Sequence, residues 1–225
     1  MKQSIQCSAL LLAFLAAFTF FACSDAPQGD QATISDQKKA AEVVGQAFVL
    51  DTSTSRVHFV GNGVGKNHPG TFHLASGSVA VAGNQITGGE FVINIKSLDL
   101  DQREAMFQQK LQPHLLSGDF FDAEKFGNAR FVITKVTPYQ SGVGDTSIVQ
   151  GANFNVSGNL TLKEDTKNIT FPAKIDLDGN MLKAKSNFNI DRTQWKMNYG
   201  NDKTLGDKFI SETVNIRLVV QAKRQ

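Results

Sequence analysis

The side chains able to do chemistry in this chain are few and scattered. Four histidines, His58, His68, His73 and His114, form neither an HxH nor an HExxH pair, and His68 and His73 stand five apart across Pro69-Gly70. A bound metal would need distant ligands to converge, so no metal site is expected. No GxSxG elbow presents a serine nucleophile. Asp119 and Asp122 flank Phe120-Phe121 and invite a general-acid reading, but turn and helix-cap carboxylates share that pattern. The stretch Gly61-Asn62-Gly63-Val64-Gly65-Lys66 lacks the four-residue gap between glycines and the Ser/Thr after lysine of a phosphate loop, and follows no βα unit. It reads as a strand connection. No catalytic residue and no cofactor is expected.

Composition narrows the field further. With 225 residues, 41% hydrophobic and 20% charged, the chain has the makeup of an ordinary globular domain. Its 23 basic and 21 acidic residues leave a formal charge of +2, which argues against a nucleic-acid partner. The two cysteines, Cys7 and Cys23, both lie near the N-terminus, so no disulfide framework and no CxxC site follows them. Phe outnumbers Tyr plus Trp by 17 to 3, favouring buried apolar surface over an aromatic-lined sugar site.

The first residues read as an address. Lys2 supplies a positive start, and Ala9 to Ala22 is an uncharged run of mainly Ala, Leu and Phe, too short to span a bilayer comfortably. Residues 1–22 are therefore expected to be a signal peptide. The run ends at Phe20-Phe21-Ala22-Cys23, which resembles the lipobox of bacterial lipoproteins. That resemblance implies lipidation at Cys23 and a lipid anchor in the membrane, with ordinary cleavage nearby as the alternative. Ser24 in second place resembles an outer-membrane sorting signal and implies a domain in the periplasm or at the cell surface. Residues 23–46 are expected to be anchor and flexible tether, since Ser24 to Gln46 is polar and of mixed charge; such a chain spans about 25 Å.

From Ala47 onward period-2 alternation dominates. Phe154, Val156, Leu160 and Leu162 alternate with polar residues; beyond the turn Glu164-Asp165, so do Ile169, Phe171, Ala173, Ile175 and Leu177. Pro172 removes a ladder donor and hints at an edge or a bulge. Asp178-Gly179-Asn180 is a hairpin signal, and Leu182, Ala184, Phe188 and Ile190 continue the alternation. The last strand puts Ile210, Val214, Ile216, Leu218, Val220 and Ala222 on one face. Shorter runs at Phe48–Leu50, Arg56–Val60, Thr71–Leu74, Ser78–Val81, Glu90–Ile95 and Arg130–Val136 complete an all-β domain over residues 47–225. Long one-sided strands favour a closed barrel over a sandwich. Only Asp101-Gln102-Arg103-Glu104, with the form of a capping box, and the helix formers Ala105 to Gln112 before Pro113 break the pattern. That helix would carry Met106, Phe107, Lys110 and Leu111 on one stripe, either over a barrel mouth or outside the sheet.

The order of these pieces resembles the YceI-like family of periplasmic polyisoprenoid-binding proteins. The residues that carry the likeness are Asp51-Thr52-Ser53-Thr54-Ser55-Arg56-Val57-His58-Phe59, Gly70-Thr71-Phe72, Ile95-Lys96-Ser97-Leu98, Arg103, Asp119-Phe120-Phe121-Asp122, Ala129-Arg130-Phe131, Gly158-Asn159-Leu160-Thr161-Leu162 and Ile190-Asp191-Arg192-Thr193. It implies an extended antiparallel lipocalin-like β-barrel with one inserted helix near the barrel mouth. It also implies a non-enzymatic carrier, store or scavenger of an isoprenoid quinone, a polyprenyl lipid or another long apolar chain. The expected lining and lid are Phe91, Met106, Phe107, Phe120, Phe121, Phe131, Phe154, Val156, Phe171, Phe188 and Ile190. Arg103 and Arg192 stand at matching positions as a structural clamp, with Asp191 or Glu104 at hand, or as a headgroup contact. A structural or interaction lipoprotein with a packed core is the rival reading, with Tyr139 to Gln150 as its contact loop. Dimerisation is left open.

Overall fold

The computed structural model of the protein describes residues 27–63, 65–140 and 147–225. Eleven strands follow in chain order: β1 (Asp30–Gln31), β2 (Thr33–Asp36), β3 (Gln46–Leu50), β4 (Arg56–Gly63), β5 (Lys66–Ala82), β6 (Gln85–Leu100), β7 (Asn128–Pro138), β8 (Phe154–Leu162), β9 (Asp165–Asp178), β10 (Met181–Asp191) and β11 (Ile210–Arg224). Strands β4 to β11 pair antiparallel, each with the next, and β11 returns to β4 with Ile216 opposite Phe59, so eight strands close a barrel. Closure removes the unpaired edges that an open sheet would expose. The alternation sets the inside: Val214, Ile216, Leu218 and Val220 of β11 face the interior while Arg217 and Val219 between them are exposed.

Two-residue turns join β5 to β6, β8 to β9 and β9 to β10. The β6–β7 and β10–β11 connections gather at the opposite end from the β9–β10 hairpin. After β6, a π-helical turn at Phe107–Leu111 runs into α1 (Gln112–Leu116). Here the structure corrects the expected helix end, because the helix continues through Pro113 to Leu116. The wider π turn lies immediately ahead of the proline, whose ring and missing donor would disrupt a regular α-helix interior. The Asp101 side chain does not cap this helix; the first turn instead bonds Phe107 N–H to the Glu104 carbonyl at 2.9 Å. After β10, the 3-10 turns Arg192–Trp195 and Lys203–Lys208 cross the same mouth.

The segment expected to be a flexible tether is a strap on the barrel wall. β9 and β10 pair only from Asp178↔Met181 to Lys174↔Lys185 and then part. Into the gap β1 lays Asp30 and Gln31 parallel to Phe188 and Asn189, and β2 lays Thr33 to Asp36 antiparallel to Thr170 to Lys167. Ala32 between them is buried in the core, with Ile34 packed against it. Beyond β2 the strap crosses β8, where the Asn159 amide brackets the Lys38 backbone at 3.0 and 2.6 Å. It then reaches β7 and β6, where Ala41 N–H donates to the Ile133 carbonyl and the Thr87 hydroxyl to that of Val44. Backbone hydrogen bonds to a gap in the wall, rather than composition, decide the conformation of this polar stretch. The expected signal peptide and Cys23 lie outside the described residues.

Candidate functional site

The barrel encloses a cavity of about 290 Å³ that runs between the α1 mouth and the hairpin end. Most of its wall is aliphatic and aromatic. Phe91, Phe131, Phe171 and Phe188 form a continuous aromatic path around it, with Phe171 and Phe188 stacked 4.1 Å apart at 10°. On the other side Phe59 stacks on Phe72 at 5.2 Å, and Phe72 meets Phe121 edge-on at 5.3 Å. Such contacts fix the ring orientations and keep rotamer freedom low.

Two glycines explain how a wall so rich in phenylalanine leaves a lumen. Phe131 of β7 lies over Gly158 of β8, where an added Cβ would fall inside the ring's own contact distance. Phe91 lies over its register partner Gly77, where a Cβ would approach to 2.7 Å. Each ring settles flat against the neighbouring strand, and the centre stays open.

The mouth is closed from above. Leu111 and Leu115 of the helix, with Phe120 and Phe121 of the following turn, contribute to the lining, and Phe120 packs against His114 and Tyr199. Trp195 is fully buried and donates Nε1–H to the Leu160 carbonyl at 2.9 Å. The buried Arg192 holds this cover together: Nε donates to Ser211 O, Nη2 to the carbonyls of Tyr199 and Ile210, each at 2.9 Å, and Nη1 to that of Met197. Burial pushes its guanidinium below the ordinary value, partly offset by Asp191 and Glu212. Asp191 is not its direct partner, because that carboxylate caps the following turn through Thr193 N–H at 2.9 Å. Burial works to raise the Asp191 carboxyl, but hydrogen bonds from Thr193 and Gln194 and the Arg192 charge outweigh it and the net shift is downward.

Several polar groups on the wall are already partnered within the protein. Ser186 Oγ donates to the Pro172 carbonyl at 2.5 Å, and the His68 ring reaches Gln102 Oε1 and the Gly63 carbonyl. What the lumen offers a guest is therefore apolar contact, about 0.8 kcal/mol for each methylene taken from water.

Of the expected lining residues, Phe91, Phe120, Phe121, Phe131, Val156, Phe171, Phe188 and Ile190 meet at the lumen. Three do not. Met106 is 56% exposed, because it precedes the π turn and points away from the mouth. Phe107 is buried but packs beneath His68, 5.4 Å between ring centres, behind the wall. Phe154, at the start of β8 opposite Ala173, packs against the core but does not line the lumen. Arg103 is exposed on the surface in a bidentate pair with Asp99 at 2.7 and 3.0 Å, not with Glu104, and does not reach the lumen. Phe59 and Phe72 line the lumen although they lie outside the expected set; the alternation Val57, Phe59 on β4 was the signal available for the first.

A closed eight-stranded antiparallel barrel around an apolar lumen, covered by a helix, defines a lipocalin-like binding fold. The YceI-like domain matches residues 48–222, and the chain belongs to that family. The strap, residues 30–44, lies ahead of the match. Among solved structures, the chain is similar to Burkholderia cenocepacia BcnA, with 21% identity, a TM-score of 0.58 and 77% of this chain and 99% of that one covered. It is also similar to a polyisoprenoid-binding domain from Saccharophagus degradans, with 17% identity, a TM-score of 0.59 and coverage of 80% and 99%. A UPF0312 protein of Vibrio vulnificus is 30% identical over 130 residues, 56% of this chain and 61% of that protein. The chain thus spans about three fifths of the length of the curated relatives it matches.

Proposed function

We propose that the protein is a non-enzymatic binder of a long apolar ligand, an isoprenoid quinone or a polyprenyl lipid, held in the barrel lumen for carriage, storage or scavenging. The observation that carries this reading is the lumen: about 290 Å³ of almost wholly apolar space inside the barrel, near the lower bound of small-molecule sites at roughly 300 Å³. The ligand named for the similar Saccharophagus degradans domain supports the same class. The N-terminal sequence adds an envelope setting, with signal removal and a lipid anchor at Cys23, facing the periplasm or the cell surface.

Purification from cells without detergent, followed by solvent extraction and mass spectrometry, tests this. About one lipid per chain is the expected result. A protein that folds fully but yields no lipid, and takes up none when offered a long-chain quinone, overturns it in favour of a packed structural barrel.

A further inference from the structure

The outer face of β10, β11 and β4 carries a cluster of cations that the interior does not require. Strand register places Lys185, Val219 and Arg56 in one row and Asn187, Arg217 and His58 in the next. Lys183 and Lys223 extend the face toward the hairpin end. Among the described residues, Lys183, Lys185, Arg217 and Lys223 make no ion pair, in a chain whose formal charge is only +2. Among the nearby carboxylates, Asp176 holds Lys174 at 2.7 Å and Asp30 accepts from Ser147 Oγ and Ile148 N–H, while Asp51 and Asp101 act at longer range on Lys223 and His58.

Two exposed apolar side chains sit among these cations, Val219 at 38% and Ile148 at 44%. Together with His58, Lys185 and Arg217 they border a surface cleft of about 410 Å³. Lys185 and Ser186 line both this cleft and the lumen, at the level where β9 leaves β10. The chain also leaves the wall here, since the Gln28 carbonyl accepts from Asn187 and Gly29 packs between Asn189 and Asn215. Seven Cα–Cα steps link Cys23 to Asp30, a reach of at most about 25 Å.

Cations around exposed aliphatic side chains match the phosphate and upper acyl layers of an anionic bilayer. We propose that this face docks on an anionic phospholipid surface, with Lys183, Lys185 and Arg217 at lipid phosphates and Val219 and Ile148 at the interface. The proposal deepens the lipid-binder reading by naming the surface from which a lipid reaches the seam beside Lys185 and Ser186. It rests on that reading only for this last step.

Residues 27–225 carry the barrel and the strap, and that segment, with circular dichroism confirming that it folds, is used for the test. Sedimentation with phosphatidylcholine vesicles, and with vesicles that also contain phosphatidylglycerol, reads the face directly. Binding to the second kind alone, lost at high salt, is expected. A Lys183→Glu/Arg217→Glu pair that keeps its circular dichroism is expected to bind at least about tenfold more weakly, while Lys110→Glu/Lys135→Glu, with equal charge change, binds as before. Absent binding, equal binding to neutral vesicles, or equal losses in both charge pairs overturn the proposal. Capture of an acidic protein without vesicle binding overturns it as well. Because sedimentation does not depend on lumen contents, failure here leaves the extraction result standing.

Discussion

The Ser186 hydroxyl donates to the Pro172 carbonyl at 2.5 Å across the seam where the β9–β10 ladder ends. A strand residue aims its N–H and C=O at the same neighbour, so Pro172 faces β10 with an acceptor and no donor. The ladder cannot continue past it in the usual form. Ser186 takes the one available bond, and the remaining gap is filled by residues 30–36 of the strap. One missing hydrogen in β9 thus gives a segment more than a hundred residues upstream its place in the wall.

The strap should therefore behave as part of the folding unit. Ala32 is 4% exposed and its N–H donates to the Asn189 carbonyl at 3.0 Å. Ala32→Asp places a carboxylate in an apolar contact and is expected to cost about 3 kcal/mol or more in urea unfolding. Ala32→Ser should cost about 1 kcal/mol. Equal stability of wild type and Ala32→Asp would show that residues 30–36 are not structurally coupled to the barrel.

The seam marks the limit of what the sequence shows. Strands β8 to β10 are legible because Phe154 to Leu162, Ile169 to Leu177 and Leu182 to Ile190 alternate between turn residues, broken only at Gly158 and Ser186. The lumen residues on those strands follow from the same alternation. Ala32 and Ile34 alternate too, but over too few residues to register, and their partners are set by a proline in another hairpin. On the helix, a regular period puts Met106, Phe107, Lys110 and Leu111 on one stripe, whereas the π turn leaves Met106 in solvent and aims Leu111 at the lumen. Arg192 could be singled out by position, but two of its carbonyl partners, Met197 and Tyr199, lie in a loop whose path no periodicity encodes, and the other two open β11.

Gly158→Ala tests how the lumen is kept open. The added methyl would strike the Phe131 ring and drive it inward, at a cost of about 1–3 kcal/mol. Lipid recovered per chain should fall with it. The double substitution Gly158→Ala/Phe131→Leu is expected to recover much of the stability, a coupling that a thermal-unfolding mutant cycle measures.

Arg192→Met removes the donor to the carbonyls of Ser211, Met197, Tyr199 and Ile210 at once. A loss of about 3 kcal/mol is expected, and Arg192→Lys should restore only part of it, since an ammonium cannot reach four carbonyls in a planar fork. Urea unfolding of the three proteins gives the ranking; full rescue by lysine would argue against the clamp.

His58 should titrate below 6.5. Burial lowers its pKa most, Arg217 and Arg56 add to the effect, and Asp101 opposes it. Folded protein then binds fewer protons at this site than unfolded chain, so its contribution to stability falls as pH drops below 6.5 toward the folded value. An NMR titration of the imidazole should show the depressed midpoint, and Arg217→Gln should move it upward. An unchanged midpoint in that variant would remove Arg217 from the account.

Ala184 offers the sharpest test of whether the lumen is the binding site. It faces the interior of β10, where its small side chain borders the cavity, and it is separate from the outer cation face. Ala184→Phe places a ring in space that is otherwise open, and filling an apolar void adds contacts instead of removing them. The variant is therefore expected to keep its fold, with a melting temperature equal to or above that of the wild type. A long-chain ligand would lose part of its path along the barrel, and each methylene excluded forfeits about 0.8 kcal/mol of binding. Solvent extraction should then recover several-fold less lipid from Ala184→Phe than from wild type purified alongside it. A variant that is equally stable and equally loaded would place the ligand outside the lumen and overturn the binder reading at its one indispensable point.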